Sequence, residues 1–373
     1  MKKIILVLLS AGLVACGGDK PDNKSAHNVN QPLAKNVIFL IGDGMGLAQL
    51  SKATQLSAKP LNIERATVIG LSKTSSAKEA ITDSAAGATA FSIGEKTFNG
   101  AIGVNKSGKS TETILERLAK QNYATGLIAT SSITHATPAS FFAHSQTRED
   151  YYTIAADMVK APVTLFIGGG QDHFDKRTNL KKGTPDERDL VAEMAAEGVT
   201  LVSNLKSLDK ANGRVGFFTA GGHPASILKG RNDILPKSIL PSVKYLQKES
   251  DVGFFMMVEG SQIDWGGHEN NLDYSVSELM DFDEAVGQAM DFAERDGNTL
   301  VLITADHETG GLTLPTSNIK AEEPYSEAGH QFSTIGHTAT MVPVYAFGKG
   351  AEHFSGVYQN NEIYAKLLLA MGK

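Results

Sequence analysis

The chain contains one cysteine, one tryptophan and no long run of basic residues among its 373 residues. A single cysteine excludes an internal disulfide, so the folded chain has to be stabilised by its core or by bound metal ions. The 35 basic residues are outnumbered by 41 acidic ones, which gives a formal net charge of −6. We therefore expect no nucleic-acid partner, because such binding needs a concentrated basic surface.

Two common catalytic motifs are missing as well. The segment GDGMG at 42–46 lacks the Gly-Lys-Ser/Thr ending of a phosphate-cradling P-loop. Ser84 lies in TDSAAGA and not in the G-x-S-x-G elbow of a serine hydrolase, which argues against that class of enzyme. No internal repeat is evident, so a repeat architecture is not expected.

Residues 1–15 combine two lysines with an apolar run that is too short to span a bilayer, as in a secretory signal. The run ends in LVAC, which resembles the lipobox of bacterial lipoproteins and makes Cys16 the expected lipidated first residue of the mature chain. An ordinary signal peptide cut nearby and a buried N-terminal strand are the alternatives. Residues 16–35 are polar and aperiodic, which is typical of a flexible tether. We predict an exported protein, periplasmic or anchored to a membrane through Cys16, with residues 36–373 as a single domain.

From residue 35 onward, short apolar runs alternate with amphipathic segments of helical period. This alternation predicts an α/β fold with a large, mostly parallel central sheet and helices on both faces. Residues 168–189 and 312–336 are polar and contain glycine and proline, so we predict long surface loops there. The predicted strands are NVIFLIG, YATGLIAT, VTLFIGG, VGFFMMVEG, NTLVLITA and VPVYAFG, and the predicted helices are TETILERLAKQ, EDYYTIAADMVK, RDLVAEMAAEG, ILPSVKYLQKE and YSVSELMDFDEAVGQAMDFAER.

Ligands of such sheets bind beyond the carboxyl ends of the strands. Acids, histidines and hydroxyls that follow the apolar runs are therefore expected to meet at one edge of the sheet and to form a metal site. The candidates are Asp43, Ser84, His135, Thr137, Arg148, Glu259, Asp264, His268, Asp306, His307 and His337.

Carboxylate and imidazole ligands together suit zinc, whereas carboxylate with hydroxyl suits magnesium. A lone strand-end aspartate is more often a helix cap, so the pairs carry more weight. Asp306 and His307 reach one metal only where their strand breaks, and the ETGG that follows them supplies a break. Asp264 and His268 bracket WGG, which lets the backbone fold tightly around an ion. The other histidines are expected to be structural or at the surface: His27, His144, His173, His223, His330 and His353.

Six motifs occur in the order that the alkaline phosphatase family shows, and nearly the whole mature chain resembles that family. The likeness is strongest to the compact, short-loop enzymes of cold-adapted marine bacteria. The motifs are FLIGDGMG, TDSAAGATAF, THATPASFFAH, EGSQIDWGGHENN, TADHETGG and GHTAT.

The resemblance implies hydrolysis of small phosphate monoesters at alkaline pH through a phosphoserine on Ser84, with Arg148 clamping the phosphate. It also implies two zinc ions and one magnesium ion per subunit, and a homodimer. Carried over position by position, the first zinc is held by Asp264, His268 and His337; the second by Asp43, Asp306 and His307, with Ser84 as a further ligand; and magnesium by Asp43, Thr137 and Glu259.

Two positions depart from the best-known bacterial members of the family. His135 stands where those have an aspartate near the magnesium site, which affects the identity and affinity of the third ion. Trp265 stands where they have a lysine, so one positive charge near bound phosphate is missing. Both residues are expected to lie near the substrate without ligating either zinc.

The small residues after Ser84 fit the implied role. They let the serine sit at a helix N-terminus, where free backbone N–H groups favour phosphate. Asp83 is expected to cap that helix and to position Arg148.

Three alternatives are less well supported by the sequence. One is another enzyme of the same metal-dependent superfamily, such as a phosphodiesterase, a sulfatase or a phosphoglycerate mutase. The others are a serine hydrolase and a non-catalytic lipoprotein that binds phosphate or metal.

Overall fold

A ten-stranded sheet forms the centre of the fold. The computed structural model describes residues 33–177, 186–316 and 329–373. The predicted signal segment, Cys16 and nearly all of the predicted tether lie outside the described residues. No helix of the described ranges is both long and apolar enough to cross a bilayer.

In the ten-stranded sheet of the described ranges, only the strand Val342–Gly348 (β11) runs antiparallel to its neighbours, so the prediction of a mostly parallel sheet is confirmed. The order across the sheet is β12-β2-β11-β8-β1-β7-β3-β4-β6-β5, and a short pair, β9 and β10, lies apart from it. The strands are β1 Asn36–Gly42, β2 Val68–Lys73, β3 Ala124–Ser132, β4 Leu165–Gly169, β5 Val199–Leu201, β6 Arg214–Phe218, β7 Phe254–Gly260, β8 Thr299–Thr304, β9 Glu308–Thr309, β10 His337–Thr338, β11 Val342–Gly348 and β12 Gly356–Gln359.

Each of the five predicted helices is present, although the fourth begins earlier than its periodicity indicates. The helices are α1 Leu47–Leu56, α2 Ser84–Ile93, α3 Ile114–Ala119, α4 Ala136–Ala139, α5 Tyr151–Lys160, α6 Asp172–Asp175, α7 Leu190–Ala196, α8 Ile234–Glu249, α9 Gln262–His268, α10 Leu272–Asp296 and α11 Glu362–Ala370. Asp83, Thr113, Asp150, Asp189 and Asn271 cap helices by accepting a backbone N–H, which explains where α2, α3, α5, α7 and α10 begin.

Helices cover both faces of the sheet, so the central strands are buried along their whole length. Along β1, Val37 and Phe39 pack into the core on one face, whereas Ile38 and Leu40 pack into the core on the other. This arrangement explains the continuous apolar runs, because a strand that is buried on both faces has no solvent-facing positions at which polar residues would alternate with apolar ones.

The prediction of a loop over 168–189 is partly wrong. Residues 168 and 169 complete β4, and α6 follows almost at once. Gly168 and Gly169 lie at the end of this strand, and a side chain at Gly169 would clash with the Gly222 carbonyl oxygen and come within 2.8 Å of the Pro224 ring. Residues 178–185 and 317–328, in the two predicted loops, lie outside the described residues.

His144 has a structural role, as the sequence predicts. Its Nδ1 lies 2.7 Å from the Gly103 carbonyl oxygen and its Nε2 lies 3.1 Å from Glu116 Oε1. The hydrogen bond to Glu116 raises the pKa of His144. Burial would raise the pKa of Glu116, but its hydrogen bonds to His144 and Thr113 outweigh burial and lower that pKa. The pair thus connects α3 to the segment after α4 as an ion pair.

Replacing His144 with glutamine is expected to lower the free energy of unfolding by about 1 kcal/mol near pH 6. The contribution of a raised histidine pKa is complete below the ordinary value of 6.5 and is lost as pH rises through the raised value. The loss should therefore shrink in alkaline buffer. Urea unfolding of both proteins at several pH values measures it, with the exposed His330→Gln as the control. A difference that stays constant with pH would contradict the ion pair.

Candidate active site and metal centre

The carboxyl ends of β8, β1, β7 and β3 are neighbours at one edge of the sheet and carry acidic or hydroxyl side chains. Ile41 of β1 pairs with Glu259 on one side and with Thr304 on the other. Asp43 directly follows β1, Asp306 follows β8 by two residues, and Thr137 lies in α4, just beyond β3. The register therefore places the predicted ligands together at this edge.

The first cluster consists of Asp264, His268 and His337. The Asp264 carboxylate lies 3.3 Å from His268 Nε2 and 3.5 Å from His337 Nε2. His268 Nδ1 lies 2.6 Å from the Ile335 carbonyl oxygen, and His337 Nδ1 lies 2.9 Å from that of Thr82. Because a carbonyl only accepts, each neutral ring carries its hydrogen on Nδ1. The lone pair of each Nε2 therefore faces the carboxylate, and the two Nε2 atoms lie 3.2 Å apart. A histidine with its hydrogen on Nδ1 is the tautomer that binds a metal through Nε2.

The second cluster consists of Asp43, Asp306 and His307, all fully buried. His307 Nε2 lies 3.4 Å from Asp43 Oδ1 and 3.3 Å from Asp306 Oδ2. The same nitrogen lies 3.2 Å from Ser84 Oγ. On the other side of the ring, Nδ1 lies 3.2 Å from Thr309 Oγ1. His307 Nε2 therefore faces two carboxylates and the hydroxyl of Ser84, the predicted nucleophile.

The third cluster consists of Asp43, His135 and Glu259, with ligand atoms within 4.8 Å of one another. Glu259 Oε2 accepts a hydrogen bond of 2.5 Å from Ser261 Oγ. Thr137 is fully buried in the turn that follows His135. Asp43 belongs to both the second and the third cluster, so its two oxygens can serve two ions.

Several of these buried oxygens lack a hydrogen-bond donor. Among the described residues, neither oxygen of Asp43 has a hydrogen-bond partner, nor do Glu259 Oε1 and Asp306 Oδ2. Buried polar atoms are normally satisfied, and buried charges need a partner or a metal. The clusters therefore fit bound cations.

The charge balance of the clusters supports the same conclusion. Burial, with repulsion among the carboxylates, raises the pKa of Asp43 well above its ordinary value, that of Glu259 to about 7 and that of Asp306 to about 6. Burial lowers the pKa of His307 far below its ordinary value, so this ring is neutral and free to ligate. Metal ions would offset the repulsion that raises the carboxyl pKa values.

Ser84 is the first residue of α2 and is only 2% exposed. Asp83 caps the helix by accepting a hydrogen bond of 3.0 Å from Ala86 N. A side chain at Gly87, one turn along, would lie 3.1 Å from Asp306 Cβ. The small residues of α2 therefore allow the helix N-terminus to approach the second cluster.

Arg148 lies beside this helix N-terminus. Its Nη1 donates to Asp83 Oδ2 at 3.2 Å, and its Nη2 lies 3.2 Å from His135 Nε2. Burial would lower the pKa of Arg148, but Asp83 and Asp43 outweigh it and raise that pKa, so the guanidinium stays charged. A fixed cation beside a buried serine and three ligand clusters is an arrangement for binding phosphate.

Comparison with known proteins decides the family. The sequence profile described as Alkaline phosphatase matches residues 34–334. Alkaline phosphatase 3 of Bacillus subtilis is 34% identical over 92% of this chain and 90% of its own length. The chain belongs to the alkaline phosphatase family. Its activity is the hydrolysis of phosphate monoesters, EC 3.1.3.1, and this prediction is confirmed.

Solved structures of alkaline phosphatases share the fold. That of the Antarctic bacterium TAB5 is 44% identical, with a TM-score of 0.85 over 92% of this chain and 99% of that one. That of a psychrophilic Shewanella species is 26% identical, with a TM-score of 0.80 over 91% of this chain and all of that one. Variants of the Antarctic enzyme with a histidine replaced by aspartate or glutamate have magnesium bound in the M3 site. The predicted fold class is confirmed.

The structure of this alkaline phosphatase brings all the sequence-predicted site residues to one edge of the sheet, with Trp265 next to Asp264 on α9. Two neighbours were not predicted. Thr309 Oγ1 donates to Asp264 Oδ1 at 2.5 Å, and its place in ETGG, directly after His307, was an available signal. His223 packs against both His135 and Trp265, but no pattern in its polar segment indicated this.

Proposed function

We propose that this alkaline phosphatase acts through a phosphoserine on Ser84, in a centre that holds two zinc ions and one magnesium ion. The observation that carries the proposal is the position of Ser84 Oγ, 3.2 Å from His307 Nε2 at the N-terminus of α2. The serine therefore lies against the second cluster. Replacing Ser84 tests the nucleophile, and removing the metals tests the centre.

The ligand chemistry supports this choice of ions. The first and second clusters combine imidazole with carboxylate and suit zinc, whereas Thr137 and Glu259 add only oxygen and suit magnesium. The bound ions would act as Lewis acids for the attacking and leaving oxygens. The assignment is Asp264, His268 and His337 for the first zinc; Asp43, Asp306 and His307, with Ser84, for the second; and Asp43, Thr137 and Glu259 for magnesium.

The chain's own residues position the reaction. Arg148 is held by Asp83 and presents its remaining N–H groups to two non-bridging phosphate oxygens. Ser84 Oγ gives up its proton and attacks phosphorus in line, the bond from phosphorus to the alcohol oxygen breaks, the alcohol leaves with a proton, and the phosphoryl group remains on the serine. Water then attacks phosphorus, which releases phosphate and restores Ser84. The free N–H groups of the first turn of α2 favour the charge of the phosphate in both steps.

His135 lies in the third cluster and offers nitrogen where magnesium prefers oxygen. Changing His135 to aspartate is therefore expected to strengthen magnesium binding, since a carboxylate is the harder ligand. The Antarctic relative supports this, because its variants with a histidine changed to a carboxylate bind magnesium in the M3 site. The added negative charge lies near bound phosphate, so faster turnover is not implied.

The measurement is magnesium titration of zinc-loaded wild type and His135→Asp, with bound metals counted in each protein. His330→Asp serves as a control that adds a carboxylate at an exposed histidine outside the clusters. Identical magnesium dependence in wild type and His135→Asp would remove His135 from the third site and leave it a structural residue.

We propose that the protein is exported, periplasmic or anchored through a lipid on Cys16, and that it forms a homodimer as family members do. The lipobox resemblance of LVAC and the polar residues 17–35 support the anchor. In its host, the native protein should partition with membranes, whereas Cys16→Ser should not be lipidated. Recovery of the native protein as a soluble species with another N-terminus would contradict the anchor.

A further inference from the structure

Trp265 and His223 form a two-ring corner beside the site. Their ring centroids lie 5.0 Å apart with an angle of 76° between the planes. His135 packs edge-on against both, at 5.6 Å from His223 and 6.0 Å from Trp265. His223 is exposed and Trp265 is half-buried, so parts of both rings face solvent. We call this pair the aromatic corner.

The aromatic corner is held in place by its surroundings. Ser132 N donates to His223 Nδ1 at 3.1 Å, which fixes the plane of the imidazole. The backbone on either side of His223 is fixed as well, because Gly170 N donates to Gly222 O at 2.8 Å and Gln262 Nε2 donates to Pro224 O at 3.1 Å. Rigid rings lose little freedom when they bind a flat ligand.

The corner also lies next to a residue of the first cluster and close to Arg148. In-line displacement places the leaving group opposite Ser84 Oγ, which contacts the second cluster. Trp265 directly follows Asp264 of the first cluster on α9. His135 fills the space between Arg148 and both rings of the corner. The rings therefore stand about one imidazole's width beyond the residue that would grip phosphate.

We propose that the aromatic corner is a leaving-group subsite that stacks the base of nucleoside 5′-monophosphates. This proposal rests on the phosphoserine mechanism for the direction of departure. A nucleotide carries its flat base beyond a sugar, so the base is set apart from the phosphate, as the corner is set apart from Arg148 by His135. Glycerol phosphate has no ring and gains nothing from the corner. Stacking on an aromatic side chain does not depend on which base is present, so the preference extends over nucleotides as a class.

The kinetic test compares kcat/KM for adenosine 5′-monophosphate with kcat/KM for glycerol phosphate in zinc- and magnesium-loaded enzyme. His223→Asn removes the ring but keeps an acceptor for Ser132 N, whereas His223→Phe keeps a ring and loses the acceptor. We expect the ratio of the two substrates to fall about tenfold in His223→Asn and to be largely kept in His223→Phe. His353→Asn, in the segment before β12, is the control and should leave the ratio unchanged.

A second test measures the binding of the phosphate esters without their hydrolysis. Trp265 is the only tryptophan of the chain, so its fluorescence reports on this corner alone. In metal-loaded Ser84→Ala, adenosine 5′-monophosphate should quench the fluorescence at saturation, and glycerol phosphate should not. Adding His223→Asn should weaken the nucleotide's affinity severalfold.

An unchanged substrate ratio in His223→Asn would overturn the subsite, as would a loss of the ratio in His223→Phe alone, since that pattern reports the hydrogen bond and not the ring. Equal quenching by both phosphate esters would also overturn it. Failure of the phosphoserine mechanism would give a different result, because Ser84→Ala would then hydrolyse both substrates. The ratio of kcat/KM for the two substrates could still be compared between wild type and His223→Asn.

Discussion

Replacing Ser84 with alanine is expected to lower kcat/KM for phosphate monoesters by about three orders of magnitude or more. The residual activity should be small because the variant has no hydroxyl at the first position of α2. The metal content should stay largely intact, since the second cluster keeps Asp43, Asp306 and His307. Steady-state kinetics on a chromogenic monoester, with metals counted in the same sample, measure both quantities.

Ser92→Ala provides a matched control on the same helix. Ser92 is fully buried in α2 and donates its hydroxyl to the Thr89 carbonyl oxygen, far along the helix from the clusters. This variant should keep most of the activity. A Ser84→Ala protein that retains more than about a tenth of wild-type turnover would exclude Ser84 as the nucleophile.

Removing the metal ions is expected to abolish the activity. Zinc added back should restore most of it, because the six residues of the first two clusters are all imidazoles or carboxylates. Magnesium should add a further increment through Thr137 and Glu259, which supply only oxygen. Activity after stepwise addition to chelated protein, with bound ions counted at each step, is the measurement.

Two controls accompany the chelation experiment. Circular dichroism after chelation shows whether the fold survives, which matters because Asp43 and Glu259 are then buried carboxyls with unpartnered oxygens. Restoration in the reverse order, magnesium before zinc, should give little activity. Full turnover by protein whose metal content has been measured as negligible would contradict the proposed centre.

The positions of the ligands could be predicted because ligands of a parallel sheet bind beyond the carboxyl ends of its strands. Asp43, Glu259 and Asp306 each lie at or just after the end of a fully apolar strand, and parallel strands bring such ends together. The sequence alone could not supply the order β8-β1-β7-β3, which decides that these particular strands are neighbours. That order depends on long-range packing that no local pattern reports.

Other features could not be predicted, for identifiable physical reasons. The periodicity of α8 suggested a start near Ile239, but the helix begins at Ile234 because Pro236 fits a first turn, where its missing N–H has no partner to lose. His223 was expected to be an ordinary surface residue. Its contact with Trp265 depends on how the segment after β6 folds back, which the polar sequence of that segment does not encode as a pattern.

The proposed phosphoserine is tested most directly by the stereochemistry of phosphoryl transfer. A monoester made chiral at phosphorus with oxygen isotopes is incubated with the enzyme and a second alcohol, and the configuration of the transferred phosphoryl group is determined. Two successive in-line displacements, first by Ser84 and then by the alcohol, predict net retention of configuration. Net inversion would show a single direct displacement and would contradict a covalent intermediate on Ser84.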